Sequence, residues 1–137
     1  MPHLTVEYSS NVASHHDVDA LLDVLHRSVL SLEVAPIPGV RIRAFARDTY
    51  RIADGSNENY AFVAMTARIG PGRDAETKKM VIETLLDAAE VQLATEPSPL
   101  VIAWSMEVQE IDADFRVNRN HIASHMKRDP HEGGALT

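Results

Sequence analysis

YAFVAMTARIGPGRDAETKKMVIETLLDAAEVQLATEPSPLVIAWSMEV, residues 60–108, decides the fold. Its first ten residues alternate: Ala61, Val63, Met65, Ala67 and Ile69 share one side of an extended chain, so Tyr60 to Ile69 reads as a half-buried strand. Gly70-Pro71-Gly72 breaks that strand. Asp74 can cap a helix running to about Thr95, with Met80, Val81, Leu85, Ala88, Ala89 and Leu93 inward. Glu96-Pro97-Ser98-Pro99 ends the helix, and Leu100, Ile102, Trp104, Met106 and Val108 alternate through another strand. The stretch is a β-α-β unit, whose helical crossover calls for parallel strands and a right-handed connection.

Working outward, the N-terminal half repeats the plan. Leu4, Val6 and Tyr8 alternate with His3, Thr5 and Glu7. Val18, Leu21, Leu22, Leu25, Val29 and Leu32 recur at helical spacing, with Ser14 to Asp17 as candidate N-caps. Pro36-Ile37-Pro38-Gly39 turns the chain into a strand from Val40 to Thr49. Val40, Ile42, Ala44 and Ala46 share one face of that strand; Arg41, Arg43, Phe45 and Arg47 share the other. Asp54-Gly55-Ser56-Asn57 is the turn between the halves.

Residues 1–137 therefore form a single domain: a first unit over about 1–58, a second over 59–111, and a polar tail over 112–137. The final stretch, Asp129 to Thr137, is expected to be disordered. The expected class is α/β, an α+β two-layer sandwich with a four-stranded mixed sheet and two helices on one face. The other sheet face carries Phe45, Phe62 and Ala64 among arginines, and self-association is the economical way to cover it.

Composition narrows the function. The formal net charge of -7 disfavours nucleic acid and anionic membrane as partners. No apolar run is long enough to span a bilayer, and no secretory signal pattern is visible. With no cysteine, disulfides, zinc–thiolate sites and a cysteine nucleophile are excluded, and a cytoplasmic location is the default. Binding of an anion would depend on a few local arginines acting against the net field.

Four places could carry chemistry. Pro2 follows the initiator Met1, and a small second residue permits removal of that methionine. The exposed nitrogen would be a secondary amine, held rigidly by the strand that starts beside it. A setting of low polarity, or nearby cations, would keep it neutral and usable as a base. Arg41 and Arg43 lie two apart on one strand face, where they can bind carboxylates, form ion pairs with Glu7 or Glu107, or remain exposed. Arg73 sits where a helix begins, a position that favours anions over cations, which points to another use for it or to a plain loop arginine. His121 and His125 have i, i+4 spacing, but without a third ligand they make a weak metal pair; His15-His16 is placed in the loop before the first helix. The glycines match no phosphate-binding loop.

Taken in order, Pro2-His3-Leu4-Thr5-Val6-Glu7, Gly39-Val40-Arg41-Ile42-Arg43, Ala53-Asp54-Gly55, Tyr60-Ala61-Phe62-Val63 and Ile69-Gly70-Pro71-Gly72-Arg73 resemble the 5-carboxymethyl-2-hydroxymuconate Δ-isomerase family of the tautomerase superfamily. The resemblance runs from Pro2 to about Glu110 and rests on the ordered spacing, since no single motif is specific. It implies a homotrimer and an isomerase that uses an N-terminal proline as base and no metal or organic cofactor. It places the base on Pro2 and the substrate-binding arginines on Arg41 and Arg73, with Arg43 a weaker candidate. The implied substrate is an unsaturated polycarboxylate from homoprotocatechuate breakdown. Alternatives are a tautomerase for another carbonyl acid, a non-catalytic trimer that binds a small acid or signals, and a ferredoxin-like dimer.

Overall fold

Alternation in the first residues becomes the strand around which the sheet is built. A computed structural model describes residues 2–128; the expectations for Met1 and for Asp129 to Thr137 lie outside the described residues. The order is β1 (Pro2–Ser9), α1 (Asn11–His15), α2 (Val18–Leu32), a 3-10 turn (Ile37–Gly39), β2 (Arg41–Arg47), β3 (Tyr60–Ile69), α3 (Ala75–Ala94), β4 (Val101–Glu110), a second 3-10 turn (Ala113–Phe115) and α4 (His121–Arg128). The four strands form one mixed sheet in the order β2-β1-β3-β4. β1 and β2 are parallel, as are β3 and β4, while β1 and β3 run antiparallel at the centre. This is the expected α+β sheet made of two β-α-β units.

The helices start where their caps dictate. The Ala20 N–H donates to Asp17 at 3.1 Å, and the Thr77 N–H donates to Asp74 at 2.8 Å. α2 ends at Glu33 in the left-handed region, φ 54°. α2 and α3 pack against each other and cover one face of the sheet. Leu21, Leu25 and Val29 from α2 and Val81, Leu85, Ala89 and Leu93 from α3 meet Leu4 and Val6 from β1 and Ala61, Val63, Met65 and Ala67 from β3. Both halves thus bury their inward stripes in one cluster, and neither has a core of its own.

Three local expectations are corrected. Met80 is 44 % exposed, because the inward stripe of α3 steps through Val81, Leu85, Ala89 and Leu93 at i+4 and leaves Met80 off it. β2 ends at Arg47 instead of Thr49, since Ser9 and Arg47 are its last pair with β1. The segment before α2 contains α1, so His15 ends a helix and His16 is buried just after it, its Nε2 without a hydrogen-bond partner among the described residues. The polar tail folds back in part. Asn120 donates to the Pro38 carbonyl at 2.9 Å and accepts from the Ile122 and Ala123 N–H groups at the start of α4.

Candidate active site

Strand register places the candidate residues at one end of the sheet. Pro2 is buried at the first position of β1, opposite Ile69 of β3. The next residue, His3, points to the helix-free face. Its cross-strand partners are Arg41 on β2 and Arg68 on β3. One row further, Thr5 lies between Arg43 and Thr66. The helix-free face is therefore cationic at the Pro2 end. Towards the other end Phe45, Ala64, Phe62 and Ala103 add apolar surface around the Glu7–Arg47 pair.

An imidazole holds Arg41, and Arg116 stands beside the same ring. Arg41 Nη1 lies 2.8 Å from His3 Nε2, and Arg116 Nη2 lies 3.5 Å from the same atom. A guanidinium only donates, so Nε2 accepts and the ring proton sits on Nδ1. Burial, and then the charges of Arg41, Arg43 and Arg116, lower the His3 pKa from 6.5 to about 4. His3 is thus a neutral acceptor at ordinary pH. Neither Glu7 nor Glu107 pairs with Arg41 or Arg43. Glu7 binds Arg47 at 3.0 Å, and Glu107 accepts from Thr66 and Gln109. Among the described residues the ion pairs are Arg47–Glu7 and Lys78–Glu110, so Arg41, Arg43 and Arg116 meet no carboxylate. Clustered guanidinium groups without a counter-charge suit a carboxylate ligand.

Arg73 reaches the same end through the turn after β3. Gly72 has φ 104°, a conformation that favours glycine, and the turn delivers Arg73 four residues beyond Ile69, the partner of Pro2. Lys78 and Glu110, 2.6 Å apart, tie α3 to the end of β4 beside it. Arg73 is exposed, and its guanidinium donates to the Val34 carbonyl. One carbonyl occupies a fraction of its five N–H donors. The structure therefore gathers Pro2, Arg41 and Arg73 at one sheet end, with Arg43 one row away and exposed.

His3 and Arg116 were missed from sequence. His3 could have been found by its place beside Pro2, but its pairing with Arg41 depends on strand register. Arg116 lies in a segment with no periodic signal. His121 and His125 are exposed on α4, and no group of three or more His, Cys, Asp or Glu could hold a metal ion among the described residues.

Comparisons with known proteins bear on this site. The model of the family described as 5-carboxymethyl-2-hydroxymuconate isomerase matches residues 2–126. A 5-carboxymethyl-2-hydroxymuconate Delta-isomerase of Escherichia coli is 30 % identical over 122 residues, spanning 89 % of this chain and 96 % of the relative. The crystal structure of a 5-carboxymethyl-2-hydroxymuconate isomerase from Deinococcus radiodurans R1 superposes with a TM-score of 0.82 at 30 % identity, covering 90 % of this chain and 92 % of the other. A fused 4-OT wild-type symmetric trimer has the same fold at 20 % identity, with a TM-score of 0.62 over 86 % of this chain and 92 % of the other.

Proposed function

The chain belongs to the 5-carboxymethyl-2-hydroxymuconate isomerase family and is an isomerase of the tautomerase superfamily, and from that premise we propose that it converts 5-carboxymethyl-2-hydroxymuconate to its 2-oxo-3-ene isomer with the nitrogen of a processed Pro2 as general base. The observation that carries the reading is the placement of Pro2. It opens a strand held on both sides, at the sheet end where Arg41 and Arg73 arrive. Removal of Met1 frees a secondary amine there. The nearby guanidinium groups disfavour its protonated form and leave it able to accept a proton.

In this mechanism Pro2 takes the proton of the 2-hydroxyl group. The electron pair passes through the diene, and the protonated amine returns a proton to a different carbon, giving the conjugated ketone. One proton leaves and one returns, so no redox partner is required, and one amine serves as base and then acid. Arg41 and Arg73 hold carboxylates and offset the charge that grows on the 2-oxygen, with Arg43 a more distant contributor. Fixing the carboxylates holds the diene against the amine.

The assembly in this reading is a homotrimer. Phe45 and Val101 are exposed on the helix-free face, and Phe115 and Val117 on the tail, which together offer apolar surface for subunits to cover. The likeness in fold to a 4-OT trimer agrees with this. Among the described residues no helix is long and apolar enough to cross a membrane, and a cytoplasmic location with homoprotocatechuate breakdown as its setting completes the proposal.

The test is turnover of 5-carboxymethyl-2-hydroxymuconate followed by ultraviolet absorbance, with protein whose mass shows Met1 removed. Replacement of Pro2 by Ala leaves a primary, less constrained amine and should lower kcat by up to the roughly 10²–10⁴-fold that a general base contributes. A retained Met1 turns the nitrogen into an amide and should have at least as large an effect. No acceleration by correctly processed protein would move the substrate to another carbonyl acid.

A further inference from the structure

We propose that Arg116 is a third carboxylate-binding residue of this site, carried in by the segment after β4, and that it gives the site a preference for tricarboxylates over dicarboxylates. The inference rests on the reading of this sheet end as the substrate site.

The tail is held on both sides of Arg116. Before it, the Asp114 N–H donates to Asp112 at 2.9 Å and closes the Ala113–Phe115 turn; after it, Asn120 is tied to the Pro38 carbonyl. Between these anchors the backbone at Arg116 is extended, φ -138° and ψ 132°. Neighbouring side chains of an extended segment point in opposite directions. Phe115 and Val117 are 88 % and 81 % exposed, whereas Arg116 is half-buried against His3.

Geometry at His3 leaves the Arg116 donors unspent. Nε2 of a neutral imidazole offers one lone pair. Arg41 uses it at 2.8 Å, and Arg116 stands at 3.5 Å, beyond a good hydrogen bond. No carboxylate among the described residues answers either charge. Two guanidinium groups this close repel each other, and the chain as a whole is acidic at -7, so the cluster is a local arrangement that a bound anion would stabilise. Arg41 and Arg73 suffice for a dicarboxylate. A muconate has two carboxylates and a carboxymethyl substituent adds a third, which matches a third guanidinium.

The experiment compares wild type with Arg116→Gln and Arg116→Lys in two assays. In turnover, the ratio of kcat/KM for 5-carboxymethyl-2-hydroxymuconate to that for 2-hydroxymuconate should fall about tenfold or more in Arg116→Gln, as expected for a lost charge-assisted hydrogen bond. Arg116→Lys should recover part of the ratio. In calorimetry, wild type should bind propane-1,2,3-tricarboxylate more tightly than pentanedioate, and Arg116→Gln should lose that preference. An unchanged ratio in a wild type that does isomerise would overturn the role of Arg116 and leave the isomerase reading standing. If wild type shows no turnover, the proposed substrate falls and calorimetry decides: a lost tricarboxylate preference upholds Arg116 as a ligand. Equal weakening of both ligands would mark a structural role and overturn the inference.

Discussion

The two β-α-β units share a backbone plan and differ at the corner where each first strand begins. In the first unit, Pro2 and His3 of β1 stand beside Arg41 of β2. In the second, Tyr60 of β3 stands beside Val101 of β4, and Ile52, Ala53, Ala61, Ile102 and Ala103 complete an apolar recess of about 210 Å³. Because β1 and β3 run antiparallel, the corners lie at opposite ends of the sheet. The inward stripes must be alike, since both helices cover one core. His3, Arg41, Tyr60 and Val101 lie outside it, so one corner can gather cations while its counterpart stays apolar. On the trimer reading, the apolar corner is contact surface and the cationic corner is chemistry.

The largest expected effect tests what the units share. Leu25 and Leu85 occupy corresponding places on α2 and α3, at 0 % and 1 % exposure in one cluster. Truncating either to Ala should cost about 2–5 kcal/mol, the range for a buried leucine that leaves a cavity. Chemical denaturation should show one transition in both variants. Two separate transitions in either variant would mean that the units fold on cores of their own.

The next effect tests what they do not share. Arg41→Ala should lower kcat/KM for the proposed substrate about 10–100-fold, from the roughly 1.5–3 kcal/mol of a hydrogen bond to a charged group, with native mass unchanged. Val101 is 60 % exposed at the apolar corner. Val101→Lys should shift the native mass towards smaller species. The opposite pattern, assembly lost with Arg41 and turnover alone lost with Val101, would reverse the roles of the corners.

Sequence periodicity disclosed what the units share and little of what separates them. Leu4, Val6, Val63 and Met65 alternate because one strand face is buried, and Leu21, Leu25, Val81 and Leu85 recur because one helix face is; both patterns are written into a single chain. Asp17 and Asp74 announced their helices for the same local reason. Position of Arg41 against His3 is a different kind of fact. Each residue could be assigned to a strand face, but a pairing shifted by one residue would have turned them to opposite faces. Arg116 was hidden further, since no alternation or helical stripe surrounds it and its place follows from Asn120 reaching Pro38. Pro2 was singled out by the secondary amine that removal of Met1 would expose, and Arg73 by a cation where a helix prefers an anion; the resemblance then gave both their roles.

The smallest effect belongs to His3 and sharpens the comparison by pH. Its ordinary pKa of 6.5 falls to about 4 in the folded protein, through burial and then through Arg41, Arg43 and Arg116, with Arg68 facing it from β3. Between those values the unfolded chain binds more protons than the folded one, so this residue makes stability fall as pH drops from 6.5 towards 4. Above 6.5 the contribution is fully present. Its origin is a lone pair: once Nε2 is protonated it can no longer accept from Arg41, and a further cation joins the cluster. His3→Gln, whose carbonyl can accept without titrating, should flatten that part of the curve in urea unfolding followed across the range. Tyr60→Phe, at the apolar corner, should leave the curve as it is. Equal slopes in wild type and His3→Gln would show that the proton is taken up elsewhere and that His3 does not hold Arg41 as a neutral acceptor.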